Sequence, residues 1–251
     1  LNSRLILSND DYQNNYFAFG DSQLLGIDWD ETKKNTHDLE AIINNKKISI
    51  FASPNNGPFQ SIAQAEDVFK NKNFDKLKGI IFSFNFGNDI FRIQQKWHLE
   101  NFVPLRTEEL DTIMDKPFLY DLIILKGVLS GKYFSTNLPN NKQTFLQYNQ
   151  LSNSISYERI KNWLSKVKEF KFINKKNIIL LTYPPYWVYD EKGNIIYQNV
   201  YQDYVDFVSF LNNSKVFEEV YFGKLSSSNF LSEDQRHFKT GSISFDKLRN
   251  D

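Results

Sequence analysis

The alternation of short apolar runs with helical segments is the sequence feature that most constrains the fold. Residues 48–52 and 79–84 are apolar runs typical of buried strands. Between them, residues 58–71 begin with proline and carry apolar side chains at helical spacing. A strand, a helix and a second strand in that order predict a parallel sheet with crossover helices, because parallel strands cannot be joined by a tight turn.

The same pattern continues over most of the chain. Strands are predicted at 16–19, 177–182 and 220–222, and helices at 157–170, 201–211 and 244–249. With 251 residues, the chain is long enough for one well-buried α/β domain, which we expect to be a three-layer α/β/α sandwich. Residues 92–150 are the least regular and are expected to form an insertion that acts as a functional loop or lid. The leading leucine suggests a domain cut from a larger protein.

Composition excludes several classes of partner. Thirty basic and thirty acidic residues cancel, so no global charge recruits nucleic acid or an anionic membrane. No apolar run approaches the ~20 residues that span a bilayer, and no signal peptide is recognisable. The chain has no cysteine, which excludes disulfides and thiolate metal sites, and no regular pattern of metal ligands is present. Neither the cytoplasm nor the cell envelope is excluded as its location.

The first predicted strand runs directly into Gly20-Asp21-Ser22, which makes Ser22 a candidate nucleophile. A serine hydroxyl is a weak nucleophile at neutral pH and needs an imidazole to take its proton. The chain has three histidines, and only His237 has a carboxylate three residues before it, Asp234. That spacing allows the carboxylate to orient one ring nitrogen while the other faces the serine. We therefore predict that Ser22, Asp234 and His237 form a catalytic triad.

Two further segments can supply hydrogen-bond donors for an oxyanion. Gly57 follows the second predicted strand, and Asn88 follows the third. Parallel strands end at one edge of the sheet, so Ser22, Gly57 and Asn88 are expected to meet there. A glycine N–H can approach a substrate closely, and an asparagine amide can donate a second hydrogen bond.

These segments, in this order, resemble the four sequence blocks of the SGNH (GDSL-like) hydrolases and acyltransferases. The blocks are Gly20-Asp21-Ser22, Gly57, Asn88-Asp89 and Asp234-x-x-His237. The resemblance implies a flavodoxin-like sheet of about five strands. It also implies that Ser22 is the nucleophile, with His237 as base and Asp234 as its support. The oxyanion hole would comprise the N–H groups of Ser22 and Gly57 and the side chain of Asn88.

The chain departs from the family pattern in two of the blocks. Gln23 stands where the family often has leucine, and Phe86 occupies the place of the glycine in the third block. Gly241 is also slightly closer to His237 than the glycine that often follows the family's histidine. None of these departures removes a reacting group.

The sequence favours an O-acetylesterase that removes acetyl groups from a carbohydrate. Aromatic and amide residues in the irregular segments suit sugars, and no apolar lid for a long acyl chain is evident. The candidate substrate-binding residues are Asp21, Asp89, Trp97, His98, Tyr183, Tyr186 and Trp187. Two alternatives stay open: an O-acetyltransferase that acts on a cell-surface or capsular polysaccharide, and a non-catalytic carbohydrate-binding domain of the same fold. No bound cofactor is expected, although a transferase would need an acetyl donor such as acetyl-CoA or an acetylated carrier.

Overall fold

A computed structural model describes residues 16–25, 48–52, 56–70, 74–94, 157–227, 230–231, 238–239 and 241–248. These residues build a six-stranded sheet in the order β2-β1-β3-β4-β5-β6. Its strands are β1 (Tyr16–Gly20), β2 (Ile48–Ala52), β3 (Gly79–Asn85), β4 (Asn177–Tyr183), β5 (Glu219–Leu225) and β6 (Ile243–Lys247).

Strands β1 to β5 are parallel, and β6 pairs antiparallel with β5. The order of the five parallel strands is the flavodoxin-like one, so the predicted α/β class and sheet topology are confirmed. The sixth strand lies where the sequence analysis predicts a closing helix, and that prediction is wrong. Residues 243–247 alternate apolar and polar side chains through Ile243 and Phe245, which is the two-residue period of an edge strand. Phe245 packs edge-on against Tyr183, with ring centroids 5.2 Å apart.

The helices of the described residues follow the predicted alternation. They are α1 (Ser22–Leu25), α2 (Pro58–Lys70), α3 (Phe86–Gln94), α4 (Tyr157–Asn174) and α5 (Gln198–Asn213), with a short 3₁₀ helix at Tyr186–Val188. The predicted helices at 58–71, 157–170 and 201–211 are confirmed, with α4 about one turn longer than expected. No described helix combines the length and apolar character needed to cross a membrane.

Aromatic side chains join three helices to one face of the sheet. Phe17 of β1 contacts Phe69 of α2, and Phe84 of β3 contacts both Trp163 of α4 and Phe207 of α5. Trp163 is fully buried, as its helical spacing predicts. The side chains that alternate with Phe17 and Phe84 point to the other face, and they are buried as well. The central strands are therefore covered on both faces, as their continuous apolar runs predict.

Tyr204 of α5 fixes that helix to the carboxyl half of the sheet. Its buried hydroxyl donates to the Gly223 carbonyl at 2.9 Å and lies 3.0 Å from the Thr182 hydroxyl. The Thr182 hydroxyl in turn donates to the Tyr221 carbonyl of the neighbouring strand at 2.9 Å. These bonds satisfy polar groups that would be costly to bury alone. They give the site end of β4 and β5 a rigid support.

Candidate active site

The first three sequence blocks lie together at the carboxyl edge of three neighbouring strands. Gly20 ends β1, and Ser22 is the first residue of α1. Gly57 follows β2 and directly precedes α2, while Asn88 lies in the first turn of α3, directly after β3. Because β2, β1 and β3 are adjacent in the sheet, the three segments converge as predicted from the parallel topology.

Gly20 is required by the close approach of the neighbouring strand. A Cβ atom at this position would lie 1.9 Å from the Ser83 Oγ atom of β3 and 2.9 Å from Leu24 Cδ2. Neither distance leaves room for a side chain without a shift. The glycine of Gly-Asp-Ser thus allows the first strand to pack against β3 just before it turns into α1.

Asp21 is almost fully buried and organises the start of α1. One of its carboxylate oxygens, Oδ1, accepts the backbone N–H of Gln23 at 2.9 Å, which is the geometry of a helix N-cap. The other oxygen, Oδ2, lies 3.2 Å from Arg92 Nη1. Both oxygens of this carboxylate therefore have partners within the protein, which favours a structural role for Asp21 over the predicted contact with substrate.

Arg92 connects all three blocks through a single nitrogen atom. Its Nη1 atom lies 3.2 Å from Asp21 Oδ2, 3.2 Å from Asp89 Oδ1 and 2.7 Å from the backbone carbonyl of Asn56. Both carboxylates are nearly inaccessible to solvent, and the Arg92 side chain itself is 13% exposed. One guanidinium is thus buried against two carboxylates.

Asp89 is held in the same network and is difficult to ionise. Its Oδ2 atom accepts the backbone N–H of Asn85 at 2.8 Å, across the start of α3. Burial, and secondly the negative charge of Asp21, raises the pKa of Asp89 to about 8, against the lowering effect of Arg92. As in Asp21, both carboxyl oxygens of Asp89 are hydrogen-bonded to donors of the protein rather than to a substrate.

Gly57 is positioned by a capping interaction at the start of α2. Its backbone N–H donates to the Gln60 Oε1 atom at 3.1 Å, and its carbonyl accepts the Ser61 N–H at 3.0 Å. A side chain three residues into the helix that returns to the N-cap N–H is half of a capping box. The N–H group that the sequence assigns to the oxyanion hole therefore already has an acceptor in this structure.

Asn88 and Phe86 explain the unusual third block. Asn88 is partly exposed in the first turn of α3, where its amide can reach solvent. Phe86 is buried and packs against Tyr204 and Phe207 of α5, with ring centroids 5.5 and 5.4 Å apart. Phe86 therefore belongs to the core, and Asn88 lies in the first turn of the helix that follows β3.

Gln23, a second departure from the pattern that the sequence resembles, connects α1 to the segment around Phe238. Its Oε1 atom accepts the backbone N–H of Phe238 at 2.9 Å, and its Nε2 atom donates to the Phe238 carbonyl at 3.3 Å. The Gln23 side chain is buried, and so is Phe238. Both backbone groups of Phe238 are therefore held by one side chain from the residue that follows Ser22.

The aromatic residues expected to wall the pocket are buried. Tyr183 ends β4, and Tyr186 and Trp187 belong to the 3₁₀ helix that follows it. Trp187 is the most deeply buried and lies against Tyr197 at 6.4 Å between ring centroids. The prolines between strand and 3₁₀ helix carry the chain out of the sheet, as the sequence indicates. Substrate contact by these three residues stays a prediction.

Several predicted site residues lie outside the described part of the chain. They are Asp234, His237, Trp97 and His98, together with nearly all of the irregular segment 92–150. The backbone of Ser22 is described, whereas its side chain is not. Their predicted roles stay predictions. Within the described ranges, no group of three histidine, aspartate or glutamate side chains is arranged to hold a metal ion.

Arg92 and Gln60, which connect the segments of the site, were not identified from the sequence. Their spacing from other site residues gave part of the information needed to find them. Arg92 lies three residues after Asp89, the spacing at which helical side chains share a face, and Gln60 lies three residues after a glycine-proline helix start. Neither spacing reveals that Arg92 also reaches Asp21 and Asn56, because those contacts span 71 and 36 residues of sequence.

Comparison with known proteins gives limited further information. The sequence matches no family model, and no curated protein is significantly similar to it. Among solved structures, the chain is similar to a lipase, Lip_vut3 from a goat rumen metagenome. That similarity has a TM-score of 0.46 and 15% sequence identity over 90% of each chain. The fold described above rests on the strand order and connections of this chain, independently of that likeness.

Proposed function

We propose that the protein is a serine esterase that removes O-acetyl groups from a carbohydrate through an acyl-Ser22 intermediate. The hydrogen-bonded pair formed by Gln23 and Phe238 is the observation that carries the proposal. Gln23 directly follows Ser22, and Phe238 directly follows His237. Consecutive Cα atoms are ~3.8 Å apart, so the backbones of the predicted nucleophile and base are each one residue from this contact.

The contact matters because nothing in the sequence requires these two segments to meet. They are 215 residues apart in the sequence. If the Gly-Asp-Ser and Asp-x-x-His segments were unrelated, the fold would not need to bring them into contact. In this chain the C-terminal segment is held at the edge of the sheet that carries the other three blocks. That arrangement supports a catalytic reading of Asp234 and His237 over a surface hydrogen bond or helix cap.

In the proposed mechanism, His237 takes the Ser22 proton as the serine oxygen attacks the ester carbonyl. Asp234 stabilises the imidazolium that forms, and the N–H groups of Ser22 and Gly57 with the Asn88 amide receive the oxyanion. The proton on His237 passes to the departing sugar oxygen. Water, activated by the same imidazole, then cleaves the acyl-serine and releases acetate.

The buried network beneath these residues supports a preorganised oxyanion site. The Asp21, Asn56 and Asp89 contacts of Arg92 fix the residues next to each proposed donor. Preorganised donors stabilise developing charge better than mobile ones, because they need no reorientation during the reaction. A binding module that merely retained the fold would gain nothing from such an arrangement.

The first experiment is hydrolysis of a small aryl acetate by the wild-type protein and by Ser22→Ala and His237→Ala. Intact-mass measurement detects any acetyl adduct of 42 Da, about the mass that an acetyl group adds in place of a hydrogen. We expect each variant to lose ~10⁶-fold in kcat and the double variant to be little worse, because the two residues act as a unit. Acetate release from O-acetylated oligosaccharides then tests the carbohydrate assignment.

Two outcomes would redirect the assignment. A wild-type protein that is folded but shows neither turnover nor an adduct would support the binding-domain alternative. An acetyl adduct that forms and is discharged only by an added glycan, with no release of acetate to water, would instead identify an O-acetyltransferase.

A further inference from the structure

Arg92 contacts the residue adjacent to each of the three predicted oxyanion donors. Asp21 precedes Ser22, Asn56 precedes Gly57, and Asp89 follows Asn88. All three contacts are made by the same Nη1 atom, at 3.2, 2.7 and 3.2 Å respectively. The three segments come from different loops, which follow β1, β2 and β3. A single nitrogen atom therefore contacts a residue next to each of the three donors.

We infer that Arg92 is a positioning residue that sets the three oxyanion donors at their mutual distances. The inference rests on the proposed function, which names those donors. Arg92 itself does not touch the reacting atoms in this view. It acts on them through Asp21, Asn56 and Asp89.

The hydrogen-bond geometry places three acceptors around one nitrogen atom of Arg92. An Nη atom carries two hydrogens, and here they face three acceptors. With three acceptors for two hydrogens, at least one hydrogen is shared between two acceptors. The three loops therefore compete for the same donor atom.

The charge balance adds a second constraint. Asp21 and Asp89 are both buried, and Arg92 is the cation that lies against both of them within the described residues. Removing it would leave the Asp21 carboxylate buried without a cation, next to the carboxyl group of Asp89, in a site of low dielectric. The loops after β1 and β3 would also lose the hydrogen bonds that Arg92 makes to both of them. The spacing between Ser22 and Asn88 would then change.

A further contact between two of these loops is longer. Asn56 Nδ2 donates to the Gly20 carbonyl at 3.4 Å, and it also donates to Gln64 Oε1 at 3.1 Å. This bond connects the loops after β1 and β2 but does not reach α3. Arg92, in contrast, also bonds to Asp89 of α3, the residue next to Asn88.

The test uses phosphonylation of the full-length protein by a fluorophosphonate probe, followed by intact mass. In this reaction the serine oxygen forms a bond to phosphorus, the P–F bond breaks, and fluoride leaves. The serine proton passes to the imidazole, and the phosphoryl oxygen occupies the same donors as the oxyanion of an ester. The variants are Arg92→Met, Arg92→Lys and, as a control, Lys247→Met. Lys247 belongs to an exposed ion pair with Glu219 at the opposite edge of the sheet.

We expect Arg92→Met to lower the labelling rate and kcat for an aryl acetate by ~10²-fold with KM nearly unchanged, the effect of a ~1 Å displacement. Arg92→Lys should recover part of the loss, because it keeps the charge but not the guanidinium. The same Arg92→Met change in an Asn88→Ala background should cost less, because one of the three donors that Arg92 positions is already absent. Lys247→Met should have no effect.

Equal losses from Arg92→Met in the wild-type and Asn88→Ala backgrounds would overturn the inference. So would a loss that matches the fall in folded protein measured by circular dichroism. If Arg92→Met does not fold, Arg92→Lys decides: a folded lysine variant with the wild-type labelling rate also overturns it. Failure of the proposed function has a separate signature, which is a folded wild-type protein that the probe does not label at Ser22.

Discussion

The side chain of Gln60 accepts the backbone N–H of Gly57 at 3.1 Å, so one predicted oxyanion donor is already occupied by a neighbouring amide oxygen. Gln60 is buried and lies in the first turn of α2, three residues after Gly57. A substrate oxyanion must therefore share or displace this acceptor. This competition arises because the Gly57 N–H that Gln60 caps at the start of α2 is the same group that would bind the oxyanion.

Replacing Gln60 separates the capping role from catalysis. We expect Gln60→Leu to lower the free energy of unfolding by about 1 kcal/mol through loss of the cap, while kcat for an aryl acetate stays the same or rises. Gln60→Glu should keep the acceptor but place a negative charge beside the developing oxyanion, so kcat should fall. Urea unfolding and steady-state kinetics on the two variants measure both effects.

The two Gln60 variants give opposite results only if Gly57 N–H contacts the oxyanion. If kcat changes in the same direction in both variants, and in proportion to stability, Gly57 is a helix cap and not a donor. Gln202→Leu is a suitable comparison, since it removes an exposed glutamine hydrogen bond on α5, away from Gly57.

Gln23 is expected to matter for activity more than its position in the family pattern suggests. Gln23→Leu installs the residue that the family often carries, but it leaves the N–H and C=O of Phe238 without their Gln23 partner. Buried polar groups that lose a partner cost about 1–3 kcal/mol, so the variant should unfold more easily. Displacement of the segment next to His237 should also reduce kcat by ~10- to 10²-fold.

A surface glutamine provides the control for Gln23. Gln202→Leu removes an exposed hydrogen bond to Asp206 on α5, and it should leave kcat unchanged. Thermal unfolding and kinetics at a temperature where all variants are folded distinguish the two positions. A Gln23→Leu variant with wild-type kcat would mean that the Phe238 contact has no influence on the base.

The sheet topology was predictable because its determinants are local. Each parallel strand is a continuous apolar run with its own flanking turn, and Ser22, Gly57 and Asn88 follow strand ends that parallel topology must bring to one edge. The error at 243–247 arose from a short segment in which alternation over five residues was the only signal. Such a segment becomes a strand because β5 offers a free edge, which is a property of the sheet and not of the segment.

The internal contacts of the site were not predictable in the same way. No sequence pattern indicated a contact between Gln23 and Phe238. A hydrogen bond from a side chain to a distant backbone group produces no periodic pattern in the sequence. Asp21 and Asp89 were predicted as candidate substrate contacts. Their burial against Arg92 depends on how three loops pack, which no local pattern encodes.

The raised pKa of Asp89 predicts that part of the stability is lost as pH rises. The folded state keeps a proton on this carboxyl up to a pKa of about 8, whereas the unfolded chain releases it near its ordinary value. The folded state therefore binds more protons, and the free energy of unfolding should decrease between about pH 5 and 8. Asp89→Asn should flatten this slope even if it lowers stability at every pH.

Urea titrations at several pH values measure that slope. Asp190→Asn is the control, because hydrogen bonds from Asn194 lower the pKa of the exposed Asp190 carboxyl. The contribution of a lowered pKa is lost only as pH falls into the acidic range, so this variant should leave the slope from pH 5 to 8 unchanged. Parallel curves for wild type and Asp89→Asn would show that Asp89 is ionised throughout.

The contact between Gly20 and Ser83 predicts an unusual pair of mutational effects. The Ser83 Oγ atom is buried and has no hydrogen-bond partner in the part of the chain that the structure describes, so Ser83→Ala should be neutral or slightly stabilising. Gly20→Ala alone should cost about 1–3 kcal/mol, because its Cβ would meet that oxygen. In the Ser83→Ala background the cost should fall without vanishing, since Leu24 Cδ2 would still lie 2.9 Å from the new methyl group.

Denaturant unfolding of the wild type, the two single variants and the double variant gives the coupling energy. Strictly additive effects would mean that the turn into α1 can move away from β3, and the tight packing before Ser22 would then have no role in fixing the position of Ser22.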